Sequence, residues 1–173
     1  FGFFVLRSQG RIVLVDTGLG PGPFERMGGI KGALMDHLSS VGIGAQDVEA
    51  AIITHLHGDH MGWNVTSDGG TSKATFPRAK YYIPKDDWDY FTKPEVLETQ
   101  PAVQASAVPL QELHSMELIQ GDFSITPEIT TLATPGHTPG HVSVLINSQG
   151  QNGIVVGDLF HSVAQVTEDE WCA

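Results

Sequence analysis

The stretch Thr54-His55-Leu56-His57-Gly58-Asp59-His60 places three imidazoles and one carboxylate in a single short loop. The apolar run Ala50-Ala51-Ile52-Ile53 precedes it and predicts a buried strand that ends where the histidines begin. With 8 histidines in 173 residues, a shuffled chain would contain H-x-H-x-D-H with a probability on the order of 10⁻³. A polar surface turn with incidental histidines is the alternative, and metal binding is the first hypothesis.

Apolar segments on both sides of this loop predict the elements that support it. The run Ile12 to Val15 is apolar on both faces, which is typical of a strand inside a sheet that is covered on both sides. We expect mostly antiparallel strands with interspersed helices, hence an α/β (α+β) layered fold and a single domain over 1–173. Strands are predicted at 1–6, 11–16, 50–54, 80–83, 116–120, 123–125, 129–133, 142–146 and 153–156, and helices at 29–41, 59–63, 85–91 and, once or twice, between 94 and 114.

The composition excludes several classes of partner. A formal charge of −11 without any basic stripe argues against nucleic acid. No apolar stretch approaches the roughly 20 residues that a membrane-spanning helix needs, so we expect no membrane partner. The single cysteine, Cys172, cannot form an internal disulfide, which favours the cytoplasm, although a missing N-terminus leaves the compartment undetermined. The oligomeric state is left open.

Two later loops supply further ligand types at the ends of apolar strands. His137 lies between glycines in the second histidine-bearing loop, and Asp158 ends the last predicted strand. Imidazoles and carboxylates suit Zn²⁺, and also iron or manganese, and two ions fit the set better than one. Alternate residues of an extended loop share a face, so His55 and His57 can bind one ion, which His137 completes. Asp59 and His60 turn toward the second ion, and Asp158 can bridge both.

Four motifs occur in order along the chain, namely Leu14-Val15-Asp16-Thr17-Gly18, the His55 to His60 loop, Pro135-Gly136-His137-Thr138-Pro139-Gly140-His141 and Gly157-Asp158. With these motifs the chain resembles the metallo-β-lactamase superfamily over essentially its whole length. The resemblance implies an αβ/βα four-layer sandwich with the active site at one edge of two sheets. It also implies that Asp16 orients metal ligands without binding metal itself, a role that physical reasoning also requires.

The family pattern has one element that this sequence lacks. The second metal of the family gains a further histidine from a loop well beyond the bridging aspartate, whereas here only His161 follows, three residues after Asp158. His161 is too near in sequence to match that ligand. The chain also begins at Phe1 without a methionine. We therefore expect a fragment truncated at both ends, with an incomplete sandwich and a partial domain.

Several residues have a structural interpretation beside the functional one. His141 can support the site or simply begin a strand, and Asp16 can be an ordinary turn residue before Gly18. His37 and His114 are expected on the surface of helices. Three aromatic residues can line an apolar substrate pocket or belong to the core, namely Trp63, Trp88 and Phe91.

The resemblance predicts a metal-dependent hydrolase. Two divalent ions a few ångströms apart lower the pKa of a bridging water toward about 7, so a bridging hydroxide is the expected nucleophile. Asp59 is the expected catalytic carboxylate, which accepts or returns a proton. The segment 157–165 is similar to the branch that contains N-acyl homoserine lactone lactonases and methyl parathion hydrolase, so we expect an ester, lactone or related bond in a small-molecule substrate.

Two other functions are kept as alternatives. Some relatives with this fold use a single iron for persulfide oxidation, or hydrolyse glutathione thioesters. A non-catalytic metal-binding fragment is the third possibility. Metal content and hydrolysis of a lactone or aryl ester discriminate among them.

Overall fold

The computed structural model describes residues 2–168. These residues contain two larger sheets and one two-stranded ribbon. The strands are β1 (Phe4–Ser8), β2 (Arg11–Val15), β3 (Val48–Ile52), β4 (Val65–Asp68), β5 (Thr71–Ala74), β6 (Lys80–Pro84), β7 (Met116–Ile119), β8 (Ser124–Thr126), β9 (Ile129–Ala133), β10 (Val142–Ser148) and β11 (Gln151–Val155). The α-helices are α1 (Leu34–Ser40), α2 (Gly58–Met61), α3 (Lys85–Phe91), α4 (Pro94–Leu97), α5 (Pro101–Ser106) and α6 (Val108–Glu112), and 3₁₀ helices occur at Glu25–Met27, Ala45–Asp47 and Val163–Val166.

The first sheet has the order β1-β2-β3-β6-β7 and corrects one expectation. The β1–β2 hairpin is antiparallel as predicted, but β2–β3, β3–β6 and β6–β7 are parallel. The prediction of mostly antiparallel strands is therefore wrong for this sheet. Long connections that contain helices separate these strands in sequence, as parallel pairing requires. The doubly apolar run of β2 was the local sign of this arrangement, because parallel strands are buried on both faces.

The second sheet is antiparallel throughout and packs on the first. Its order is β11-β10-β9-β8. Val13 and Ile52 on the inner face of the first sheet form one core with Val144 and other residues of the second sheet. Each fully buried aliphatic side chain of this kind stabilises the fold by about 1.5–3 kcal/mol. The two sheets are thereby fixed face to face.

The helices lie on the outer side of the first sheet. Leu14 and Ile83 turn to that side and share a second core with Leu38, Trp88 and Leu110 of α1, α3 and α6. Helix, sheet and sheet thus form successive layers, and the mixed α/β fold class is confirmed. Within residues 2–168 no helix combines the length and apolar character needed to span a membrane.

Local details of the helices differ from the sequence prediction. The helix predicted at 29–41 begins only at Leu34, because Gly28 and Gly29 adopt left-handed backbone angles and Ile30 bridges Phe24. The segment 94–114 forms three short helices instead of one or two, each with a proline in its first turn. The β4–β5 ribbon lies where no strand was predicted from the sequence.

The topology brings the ends of strands from both sheets to one edge. β2, β3 and β6 are parallel, so Asp16, the His55 to His60 loop and the start of α3 follow their carboxyl ends at the same edge. β9 and β11 both run antiparallel to β10, so the second histidine-bearing loop and Asp158 leave the second sheet together. The Val142 N–H donates to the Thr54 carbonyl oxygen at 2.9 Å and joins the two edges.

Candidate metal centre

Three imidazoles from two loops converge at this edge. His55 Nε2 and His137 Nε2 lie 3.1 and 3.0 Å from His57 Nδ1. We call these three residues the first group; their ligand atoms all lie within 4.8 Å of one another. Tetrahedral Zn²⁺ with bonds of about 2.05 Å would separate its ligand nitrogens by about 3.3 Å. Both the donor types and the observed spacing therefore fit a metal ion.

A chain of hydrogen bonds fixes the tautomer of His55. The Thr54 hydroxyl donates to the Asp16 carboxylate at 2.9 Å, so Thr54 Oγ1 accepts the Nδ1–H of His55 at 3.1 Å. This leaves His55 Nε2 unprotonated, with its lone pair turned toward His57 and His137. Asp16 has a left-handed φ of 60°, which aspartate tolerates better than most residues. That conformation returns its carboxylate to the backbone N–H of Thr54 at 2.8 Å.

Asp59, His60 and Asp158 form what we call the second group. His60 Nδ1–H donates to Asp16 Oδ2 at 2.8 Å, which orients His60 Nε2 away from Asp16. His60 Nε2 then lies 3.3 Å from Asp158 Oδ1 and 3.6 Å from Asp59 Oδ2. A cavity of about 330 Å³ adjoins all three residues. The side chains of Asp59 and Asp158 are about one quarter exposed, whereas that of His60 is largely buried.

Asp158 faces both groups at once. Its Oδ1 atom is directed to His60, whereas its Oδ2 atom lies 3.5 Å from His137 Nε2 and 4.0 Å from His55 Nε2. A carboxylate with one oxygen toward each group has the geometry that a bridging ligand requires. His161, which the sequence pattern sets aside, lies with Nε2 3.1 Å from the same Oδ2 atom.

The two groups have opposite proton affinities. Burial and the neighbouring imidazoles lower the pKa of His55, and burial and His137 lower the pKa of His57. Burial also acts on His60, but the hydrogen bond to Asp16 and the surrounding carboxylates outweigh it and raise the pKa of His60. Burial opposes ionisation of Asp158, yet His161 and His60 lower its pKa overall. His55 and His57 thus favour the neutral form that metal binding needs.

His141 holds the backbone of Asp158. The Asp158 N–H donates to His141 Nε2 at 3.0 Å, so the proton of His141 is on Nδ1, which donates to Thr134 Oγ1 at 2.8 Å. Burial lowers the pKa of His141, in agreement with a neutral ring. Gly157 is required beside it, because a Cβ there would lie 2.7 Å from His141 Nε2. These contacts favour the interpretation that His141 supports the site over the interpretation that it only begins a strand.

All six predicted ligands therefore lie at one edge, although their binding of metal stays a prediction. Asp87, which the sequence did not single out, is fully buried and contacts both histidine-bearing loops. Its neighbour Asp86 is exposed. The only sequence signal was the helical spacing of Asp87 with Trp88 and Phe91, which share its buried face.

The other residues with two possible interpretations lie at the surface, in the core or beside the metal centre. His37 is exposed on α1, and His114 is exposed in the turn after α6 instead of on a helix. Trp88 belongs to the core that the helices share with the first sheet. Trp63 packs against this core, away from the metal centre. Phe91 contacts the His57 ring edge-on, with centroids 5.9 Å apart. Cys172 lies outside the described residues.

Two further cavities adjoin the metal centre. One of about 700 Å³ is lined by His57, His137, Tyr90 and Phe91, among others. The other, of about 670 Å³, lies beside Asp59. Its walls are mainly apolar and come from the loop after β2, from α5 and from the 3₁₀ turn at Met27, including Leu19, Pro23, Phe24, Met27 and Ala102. Volumes of this size accommodate small molecules.

Comparisons with known proteins agree with this geometry. The family model described as the metallo-beta-lactamase superfamily matches residues 3–172. An N-acyl homoserine lactonase from Bacillus sp is 25% identical over 168 residues, which cover 88% of this chain and 60% of the lactonase. Metallo-beta-lactamase domain-containing protein 1 of Mus musculus is 30% identical over 170 residues, covering 93% of this chain and 48% of its own length.

Solved structures show the same likeness. AidC, a dizinc quorum-quenching lactonase in complex with a product, superposes with a TM-score of 0.78 at 25% identity, over 96% of this chain and 59% of its own. The hydrolase AbOPH superposes with a TM-score of 0.77 at 25% identity, over 92% of this chain and 56% of its own. The chain spans about 60% of the length of the curated lactonases that it matches. Since the family model covers nearly every residue, the chain belongs to the metallo-β-lactamase superfamily.

Proposed function

We propose that the protein containing this chain is a dinuclear zinc hydrolase that cleaves a lactone or ester bond in a small, neutral substrate. The observation that carries the proposal is the convergence of the two groups on Asp158, whose two oxygens face different imidazoles. Zinc ions at this centre would supply Lewis acidity and lower the pKa of water. Both kinds of chemistry promote lactone or ester hydrolysis.

The residues of the first group would hold one ion and those of the second group the other. His55 can bind through Nε2, because Thr54 occupies its Nδ1–H. His60 can likewise bind through Nε2, because Asp16 occupies its Nδ1–H. Asp158 would join the two groups through separate oxygens. Asp16 fixes ring orientation in both groups, directly for His60 and through Thr54 for His55.

Asp59 is the carboxylate that we propose to accept or return a proton. Its side chain is about one quarter exposed, at 27%, so it remains accessible to a substrate. It lines the apolar cavity beside α5, whereas Asp16 and Asp158 are engaged with histidines. An accessible carboxylate next to a substrate cavity can exchange protons with the reacting group.

The cavities favour a small substrate with an apolar portion. The cavity beside Asp59 has apolar walls that would exclude water from an acyl or aryl group. The net charge of −11 disfavours polyanionic substrates such as nucleic acid. N-acyl homoserine lactones, which carry an acyl chain on a neutral ring, are suitable first probes because the matched curated relatives are lactonases of this class.

Metal content and turnover of the full-length polypeptide test the proposal. We expect about two zinc ions per chain, hydrolysis of N-hexanoyl homoserine lactone, and loss of turnover on treatment with a chelator. Asp59→Asn should lower kcat by about 10²-fold or more, the typical contribution of a proton-transferring side chain. Asp68→Asn is the matched control, because Asp68 is exposed on the β4–β5 ribbon.

Different results would support the other functions. One bound iron per chain, without hydrolysis of lactones, aryl esters or phosphotriesters, would contradict the dinuclear hydrolase and favour persulfide oxidation. Zinc binding without turnover of any of these substrates would favour a non-catalytic metal-binding protein. In that case Asp59→Asn would leave the background rate unchanged.

A further inference from the structure

Asp87 is a buried carboxylate whose hydrogen bonds within residues 2–168 come from Leu56, Thr138 and Gly140, none of which is a predicted metal ligand. It lies in the first turn of α3 and has no solvent exposure. No ion pair involves Asp87 among the described residues 2–168. A buried carboxylate without a cation must be stabilised by hydrogen bonds, because burial otherwise penalises its charge. The donors that surround it therefore indicate what it does.

Three donors from two loops converge on Asp87. The backbone N–H of Leu56 donates to Oδ2 at 2.8 Å, and the Thr138 hydroxyl donates to the same atom at 2.9 Å. The backbone N–H of Gly140 donates to Oδ1 at 2.6 Å. Asp87 is thus the common acceptor of the His55 to His60 loop and the loop 134–141.

The three donors to Asp87 lie close in sequence to histidines of the first group. Leu56 lies between His55 and His57, and Thr138 follows His137 directly. Leu56 and Thr138 are therefore adjacent to imidazoles of the first group, and Gly140 is three residues after His137. The two loops come from different sheets, and the three bonds to Asp87 add to the bond from the Val142 N–H to the Thr54 carbonyl oxygen that joins the sheet edges. A carboxylate that holds both backbones limits the distance between His137 and His57.

The second loop lies directly against the helix that carries Asp87. A Cβ atom at Gly140 would collide with the backbone nitrogen of Asp87, so only glycine allows this approach. The helix itself is fixed by Trp88 and Phe91 in the core. Asp87 therefore extends from a rigid element to two loops, an arrangement that prepares a binding site before its ligand arrives.

We propose that Asp87 is a positioning residue that sets the separation of the two histidine-bearing loops and so prepares the first group for zinc. The inference rests on the metal centre of the proposed function, but not on the substrate or the reaction. An asparagine at this position can accept through only one atom, and its NH₂ group would face a backbone N–H. Asp87→Asn therefore weakens the connection while almost preserving side-chain shape.

Zinc affinity of the full-length protein tests this role without any substrate. We expect Asp87→Asn to weaken binding of the first zinc equivalent by about 10- to 100-fold in competition with a chromophoric chelator, as for other residues that orient metal ligands. Asp86→Asn is the matched control, because it removes the same charge from the same helical turn but at an exposed position. It should bind zinc within twofold of the parent.

Amide hydrogen exchange in the metal-free protein separates positioning from general stability. In Asp87→Asn we expect the Leu56 and Gly140 amides to exchange at least about tenfold faster, with unchanged exchange in β3 and β10. Cobalt(II) substitution should also change the intensity of the visible absorption bands in this variant and leave those of Asp86→Asn unchanged. If Asp87 only stabilised the fold, Asp87→Asn would instead accelerate amide exchange throughout both sheets.

Several results would overturn the proposal. Parent-like zinc affinity and cobalt spectrum in Asp87→Asn would do so, as would a parent protein that binds no zinc, which would also contradict the proposed function. Zinc binding without lactone hydrolysis would contradict only the function.

If Asp87→Asn does not fold, Thr138→Val removes one donor and keeps the shape of the side chain. This variant should weaken the first zinc equivalent by about threefold to tenfold, and unchanged affinity would overturn the role of Asp87.

Discussion

The first and second groups share one loop but are built differently. In the first group, His57 Nδ1 lies about 3 Å from the Nε2 atoms of His55 and His137, and His55 has no solvent exposure. In the second group, His60 lies within 4 Å of Asp59 and Asp158, and these residues line a cavity of about 330 Å³. The neutral forms of His55 and His57 are favoured, whereas carboxylates raise the pKa of His60. We therefore expect the first group to bind zinc more tightly than the second.

The difference follows from the partners of each histidine. His55 reaches Asp16 only through the Thr54 hydroxyl, so its ring is oriented but gains little proton affinity. His60 donates directly to Asp16 and has two further carboxylates nearby, which stabilise its protonated form. One buried carboxylate thus orients both groups but affects their protonation unequally. The following predictions test that inequality, from the largest effect to the smallest.

Removal of a first-group imidazole should have the largest effect. His57→Ala leaves His55 and His137 without their common neighbour, so the first ion and its contribution to the reaction are lost. A loss of about 4 kcal/mol of transition-state stabilisation corresponds to about 10³-fold in kcat/KM. Zinc content and lactone hydrolysis measure this loss. His37→Ala on α1 is the control, and equal losses in both variants would contradict the assignment.

Asp16→Asn should affect the second group more than the first. Asparagine also tolerates the left-handed backbone at this position, but its NH₂ group would replace the oxygen that accepts from His60. We expect binding of the second zinc equivalent to weaken by about 10- to 100-fold, while the first changes little. Isothermal titration with zinc resolves the two equivalents. Asp36→Asn, exposed on α1, is the control, and equal weakening of both equivalents would remove the distinction between the groups.

The affinity for the second zinc equivalent should depend more steeply on pH than the affinity for the first. The pKa of His60 is raised above its ordinary value, so zinc must displace a proton at or below neutral pH, and affinity should fall about tenfold per pH unit below that pKa. The pKa values of His55 and His57 are lowered, so these rings are already neutral in that range. Zinc titrations at pH 6–8 in two buffers of different ionisation enthalpy count the protons released. Equal proton release for both equivalents would contradict this account.

Thr134→Val should have the smallest effect. It removes the acceptor of the His141 Nδ1–H bond, while the contact between His141 and the Asp158 backbone remains. A buried donor left without a partner costs about 1–3 kcal/mol, which urea unfolding of the metal-free protein can measure. The second zinc equivalent should weaken by only about threefold, since Asp158 shifts slightly. Thr134→Ser retains the hydroxyl and should resemble the parent; a parent-like Thr134→Val would show that His141 needs no second partner.

Much of the metal centre could be predicted because its chemistry is local in sequence. The His55 to His60 spacing and the apolar strand before it identify both the ligand types and their place at a strand end. The same applies to His137 and Asp158, which follow other strands. The β1–β2 hairpin was predictable for a similar reason, because two β-prone runs and the short turn between them are adjacent in sequence.

The order and direction of the strands were not predictable in this way. β2, β3 and β6 are parallel although mostly antiparallel strands were expected, because the partners of a strand are chosen by packing across the whole domain. This pairing gathers Asp16, the first histidine loop and Asp87 at one edge. A prediction from local patterns cannot supply that convergence.

The sequence by itself determined which residue types could bind metal and where the strands that carry them would end, since spacing and hydrophobic periodicity act over a few residues. Only the tertiary structure decided that Asp87 is buried between two loops while Asp86 is exposed. Only it decided that the two oxygens of Asp158 face different groups. These properties depend on distances between segments up to a hundred residues apart, which are fixed when the two sheets pack and bury their shared core.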